Sequence, residues 1–406
     1  APTGNAEHLR SNELPQCSYR TCYGNLAFGH HPKVGLPNAR SPLHVFCAMP
    51  DYETAIRVLS LRAGRVNPKV GQPLPHFNKS FQKPRKSAAF VPFSIVFSSK
   101  KVIFLTGFSP YPTPIVENVP GIYIHVPFCV SKCPYCNFYS LPAEESLMDA
   151  YTEQLLRALD EAAAIWNKDC DSLYFGGGTP ILLGDRRIGR IIERAREKFG
   201  LDGAEITLEA NPASTLKETL AGLFAAGVNR LSFGLQSADE KELRLLGRRH
   251  TAKEAADAVR HAQQAGFSNI SLDLMLALPG QSEETVRKSI DFCAETGVRH
   301  ISSYLLKVEE GTPFYADGVA LRCPDEDRAA DLYLAAVEHL DRRGFAQYEI
   351  SNFAKDGFHS RHNCKYWLGA EYLGLGPAAH SMINGRRMYF PRDLRGFLAA
   401  EHPLSL

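Results

Sequence analysis

From residue 121 onward, apolar positions fall in short runs separated by longer amphipathic stretches. The runs at 122–126, 172–175, 205–209, 230–234, 270–275 and 301–305 are brief and rich in Ile, Leu, Val and Phe. Runs of that length predict buried strands. Between them, a 3.6-residue period predicts helices over 143–166, 187–198, 216–226, 253–265 and 283–295. A last long helix is expected over 325–342, followed by a return to strand at 346–350. Strands alternating with helices imply βαβ units and a parallel sheet. Six units predict an α/β fold, an incomplete (β/α)6 barrel rather than a closed eight-stranded one. Ligands of such folds bind beyond the carboxyl ends of the strands.

The first 120 residues read differently. They hold 15 of the 26 prolines and carry 14 Lys/Arg against 5 Asp/Glu. Sustained periodicity is lacking. A short helix at 51–63 and a strand at 102–105 are the only elements expected, with 68–85 as extended linker. Three segments follow: a low-order, basic, Pro-rich extension over 1–120, a partial barrel over 121–345, and a C-terminal segment over 346–406. The basic excess lies in the extension, so the barrel is mildly acidic and nucleic acid is not an expected partner. The most apolar stretch, 90–108, is interrupted by Pro92, Ser98, Ser99, Lys100 and Lys101. It falls short of the about 20 apolar residues a membrane span needs. With no signal peptide pattern, a cytoplasmic location is expected.

Three of the ten cysteines, Cys129, Cys133 and Cys136, crowd into the loop after the first strand. A C-x3-C-x2-C loop offers three thiolates to three irons of a [4Fe–4S] cubane and leaves the fourth iron open to an amino-acid-like ligand. Two plainer readings compete. Cys133-Pro134-Tyr135-Cys136 alone is a dithiol redox pattern. Zinc with His125 as fourth ligand is the other, although His125 lies in the strand and is expected to point elsewhere. One βα unit later, Gly176-Gly177-Gly178-Thr179-Pro180 follows the second strand, where glycines allow close backbone approach to a ligand.

Together these features resemble the radical S-adenosylmethionine (SAM) superfamily. GIYIHVPFCVSKCPYCNF, YFGGGTP, EANP, RLSFGLQS and DLMLALPGQ occur in the order seen in coproporphyrinogen-III-oxidase-like radical SAM proteins, over roughly residues 121–395. The resemblance implies that Tyr123, Gly177, Gly178, Thr179, Glu209, Gln236, Arg248 and Asp273 bind SAM. Carboxylates suit ribose hydroxyls or an ammonium, and Arg248 suits the SAM carboxylate.

Within that family the oxygen-independent oxidase carries a further cysteine two residues past the third. Here that place is Phe138. The change is similar to the heme chaperone (HemW) branch, whose HNxxYW motif matches His362-Asn363-Cys364-Lys365-Tyr366-Trp367. The resemblance implies heme bound by His362, Asn363, Tyr366 and Trp367, with Cys364 as a further soft ligand. The plainer alternative is that these residues close the barrel end, with Trp367 in the core. His359 and His380 read as structural. Heme trafficking to an acceptor protein is the expected function, with membrane contact only through that acceptor and a monomeric or homodimeric state. Oxygen-independent coproporphyrinogen III oxidation and another radical SAM reaction are the alternatives. The family continues into a C-terminal helical region, so the segment 346–406 is expected to be truncated.

Overall fold

The computed structural model describes residues 119–215 and 217–405, together with a short antiparallel pair, Ser94–Phe97 with Val102–Leu105. The expected strand at 102–105 is this second strand. The expected helix at 51–63 and linker at 68–85 lie outside the described residues.

Six parallel strands follow in sequence order: β1 (Gly121–Val126), β2 (Ser172–Gly177), β3 (Glu205–Ala210), β4 (Arg230–Gln236), β5 (Asn269–Leu276) and β6 (His300–Leu305). The connecting helices are α1 (Glu145–Ile165), α2 (Gly184–Phe199), α3 (Lys217–Ala225), α4 (Ala252–Gln264) and α5 (Glu283–Glu295), with α6 (Glu326–Arg342) after β6. Their starts are written locally. Thr251 and Glu254 close a reciprocal capping box on α4, and Ser282 with Thr285 does the same on α5.

The strands alternate, which sets where the core lies. Ile122, Ile124, Leu173, Phe175, Leu208 and Leu272 are completely buried on one face. The helices stand on this outer face. Burying each such side chain stabilises the fold by about 1.5–3 kcal/mol, so the layer between sheet and helices dominates the stability. The opposite face turns Tyr123, Tyr174, Glu209, Ser232 and Asp273 into the lumen, where their polar atoms bond one another. The barrel interior is therefore a polar site wrapped by an apolar shell.

Among the described residues the sheet does not close into a full barrel. The sheet has eleven strands and two open edges. In place of the expected strand over 346–350, only the short β7 (Ala346–Gln347) forms, running antiparallel to β8 (Asn352–Ala354), which is antiparallel to β6. The chain reverses between them because the Tyr348 amide bonds Asn352 O and the Ser351 amide bonds the Glu349 carboxylate. On the other side, β9 (Tyr372–Leu375) adds in parallel to β1, and β10 (His380–Ile383) and β11 (Arg386–Tyr389) continue antiparallel. Helix α7 (Arg361–Leu368) precedes β9. Among the described residues no helix is long and apolar enough to cross a membrane.

Candidate functional site

The cysteine loop leaves the carboxyl end of β1 and is stapled at its base. Leu141 N–H donates to Pro127 O and Ala143 N–H to Cys129 O. Cys129 Sγ lies 3.5 Å from Thr179 Oγ1, and Arg248 Nη1 donates to Cys133 Sγ at 3.6 Å. Phe314 N–H donates to Pro134 O, and the Tyr135 ring packs on Phe314. The loop is thus held from the ends of β2, β4 and β6 together. Among the described residues no three His, Cys, Asp or Glu side chains surround a point where one ion would sit. In a cubane each thiolate binds a different iron, so the three are spread more widely than around a single ion.

The glycine turn is laced to this loop. Gly178 N–H donates to Val126 O and Thr179 N–H to Phe128 O. A Cβ on Gly178 would stand 2.5 Å from Phe128 O, so no larger residue fits there. Gly177, at φ +108, sends its N–H to Glu209 Oε2 at 3.2 Å. His125 Nε2 meets Tyr139 O at 3.0 Å. A carbonyl can only accept, so Nε2 carries the proton and Nδ1 accepts from the Tyr123 hydroxyl. Both ring nitrogens are spent, which removes His125 as a fourth zinc ligand, as its strand position suggested.

Deeper in the lumen, Tyr174 donates to Glu209 Oε1 at 2.9 Å and Ser232 to Asp273 Oδ1 at 3.0 Å. Burial, and then the charge of Asp273, push the Glu209 carboxyl up to about 7; burial also raises Asp273. Arg248 donates through Nη2 to Gly234 O at 2.6 Å, while its buried Nε has no partner among the described residues. Gln236 sits at φ +72 beside a register shift between β4 and β5. That backbone strain is the kind stored at ligand sites. Two half-buried carboxyls facing one space and an unmet guanidinium N–H beside it fit a zwitterionic ligand with an extra positive charge. SAM is such a ligand. All eight residues expected to bind it stand around this end of the lumen. The sequence reading did not single out Tyr174, whose only signal was its place just before the glycine turn.

The HNxxYW segment lies elsewhere. Glu205, at the amino end of β3, accepts from the backbone N–H groups of Arg361 and His362 and so caps α7 against the amino ends of the strands. His362 is completely buried, with Nδ1 on Ser172 Oγ and Nε2 on Tyr366 OH, each at 3.0 Å. Burial, then the charges of Lys365 and Arg230, push its pKa down to about 3. Its ring stacks 6.3 Å from Tyr123. In this conformation it has no nitrogen free for iron; it props Tyr366 and Tyr123. Asn363 donates its backbone N–H to the capping Ser360 hydroxyl. The segment closes the barrel's amino end, yet Trp367 is not core: it is 42% exposed, and Tyr366 44%. Phe138, at the place of the oxidase's further cysteine, is 65% exposed on the cysteine loop.

The radical SAM superfamily matches this chain over residues 123–293. A protein named heme chaperone HemW from Mycobacterium tuberculosis is 39% identical over 277 residues, covering 66% of this chain and 71% of that one. The chain belongs to the HemW family. Further HemW relatives include the Bacillus subtilis protein, 37% identical over 65% of this chain and 71% of that one. The bovine mitochondrial radical S-adenosyl methionine domain-containing protein 1 is 38% identical, over 68% and 63%. Among solved structures, Escherichia coli coproporphyrinogen III oxidase (HemN) superposes with TM-score 0.61 at 24% identity, covering 70% of each chain. That likeness places the HemW-family chain in the same fold. It agrees with an incomplete barrel.

Proposed function

We propose that this chain binds heme and delivers it to an acceptor protein, from a core that carries a [4Fe–4S] cluster and SAM. The observation that supports this best is the identity of 36–39% to proteins named heme chaperone HemW. Phe138 in place of the oxidase's further cysteine and the intact HNxxYW segment agree with it.

In this reading Cys129, Cys133 and Cys136 hold the cluster, with Thr179 and Arg248 beside two of the sulfurs. When bound, the cluster and SAM supply one-electron reductive cleavage of SAM. The protein's own residues orient and neutralise. Glu209 and Asp273 face the ligand's positive charges, Arg248 its carboxylate, and Tyr123 a lumen wall held by His125 and His362. Gly178 lets the turn close on the Phe128 backbone at the base of the cysteine loop. Heme is the cargo, and contact with a membrane arises only through the acceptor.

An anaerobic hemin titration of the cluster-reconstituted protein, followed by Soret absorbance, tests the reading. Saturable binding, with no decarboxylation of coproporphyrinogen III in the presence of SAM and a reductant, is the expected result. Decarboxylation without hemin binding would assign the chain to the oxidase instead.

A further inference from the structure

Strands β10 and β11 carry the lumen-facing side of the sheet beyond the barrel. Residues directly opposite in an antiparallel pair project to the same face. The register sets His380 opposite Tyr389 and Met382 opposite Arg387. Tyr372 of β9 is opposite Met382, and the ring of Tyr366 from α7 packs edge-on against Tyr372 at 4.8 Å. A shelf results. At one end stands Tyr366; at the other, the His380 ring lies 5.6 Å from that of Tyr389. The second end lies toward the carboxyl end of β1, where the charges of Arg392 and His380 act on His125 and the His125 ring donates to Tyr139 O just past the cysteine loop. Nearby, Leu394 N–H donates to the Tyr139 hydroxyl.

His380 was expected to be structural, but the structure leaves it exposed, with Tyr389, Arg387 and Arg392 exposed around it. Partial burial and the charges of Arg387 and Arg392 lower its pKa, favouring the neutral imidazole that ligates metals. His362 is its opposite, sealed and with both nitrogens bonded. An accessible imidazole, flat aromatic neighbours and two guanidinium groups match a flat apolar macrocycle with a central iron and two carboxylates.

We propose that His380 is the axial iron ligand for heme, with the macrocycle against Tyr389 and Tyr366 and the carboxylates toward Arg387 and Arg392. The assignment rests on the heme-binding reading above. It places the cargo on an open shelf next to the cluster loop, outside the barrel lumen, where an acceptor can reach it.

The test compares the full-length, cluster-reconstituted protein with His380→Ala and with the double variant Arg387→Ala/Arg392→Ala, titrated anaerobically with hemin and with metal-free protoporphyrin. His380→Ala is expected to weaken hemin binding by about tenfold or more and to shift the Soret band, with added imidazole restoring it. Metal-free protoporphyrin, having no iron, should bind that variant as it binds the wild type, and should bind the double variant less tightly. Hemin binding by the wild type that survives His380→Ala unchanged would overturn the ligand assignment and leave the heme reading standing. Equal loss of both porphyrins in His380→Ala would also overturn it, since only packing would be involved. A wild type with no saturable hemin binding would sink the heme reading itself, and this assignment with it.

Discussion

Glu209 combines burial with a nearby like charge, and its carboxyl titrates near 7 in the ligand-free protein. A cationic ligand favours the ionised form, so binding below that pH must expel a proton. SAM affinity is therefore expected to fall by about tenfold per pH unit below 7 and to level off above it. Glu209→Gln should bind more weakly above pH 7 and show no such slope; equilibrium dialysis across pH reads both. His362 titrates in the opposite sense. Its folded value of about 3 lies below the ordinary histidine value. Between about 6.5 and 3 the unfolded chain takes the proton and the folded chain refuses it. The stability tied to this residue is complete above that window and is lost as pH falls through it. His362→Asn is expected to be less stable than the wild type at neutral pH, yet to lose less on acidification, measured as urea midpoints. A steeper acid loss in the variant would contradict the buried, neutral imidazole. The sequence motif marked His362 as chemically important, but it could not say that both nitrogens face inward.

At the scale of elements, α7 is held to the barrel largely by buried polar contacts. Glu205 caps its start, and the completely buried Lys365 reaches Asp171 Oδ1 and Val119 O, each at 2.5 Å. Removing one partner of such a pair leaves the other uncompensated. Lys365→Met is expected to cost about 3 kcal/mol, the low end of the usual range because the Asp171 side chain is a quarter exposed. Denaturant unfolding checks this, and Lys365→Met/Asp171→Asn should recover part of the loss. No recovery would mean that the cost is packing rather than charge. The six barrel strands and the helices between them were legible because periodicity and length agreed in each. Strands β9 to β11 were not: they are four residues each, and the β11 sequence RRMY is exposed throughout, so no alternation marks it. They exist as strands because the free edge of β1 supplies hydrogen-bond partners.

Taken whole, the molecule separates what holds it together from what it uses. The apolar layer lies between sheet and helices, while the polar lumen and the cysteine loop lie inside the sheet and at its carboxyl end. Changing Cys129, Cys133 and Cys136 to Ala should therefore abolish the brown colour and the iron–sulfur absorbance of the reconstituted protein. The far-ultraviolet dichroism and unfolding midpoint of the unreconstituted chain should stay close to the wild type. Unfolding of that variant would show that the loop is part of the core. By itself the sequence determined the strand and helix order, the cysteine loop, the glycine turn and the family, because these depend on local spacing and on residues close in the chain. Which histidine is sealed and which is open, and that Tyr174 steadies Glu209, only the tertiary structure decided. Those properties depend on residues such as Ser172 and Tyr366, brought to His362 from distant parts of the chain by sheet register.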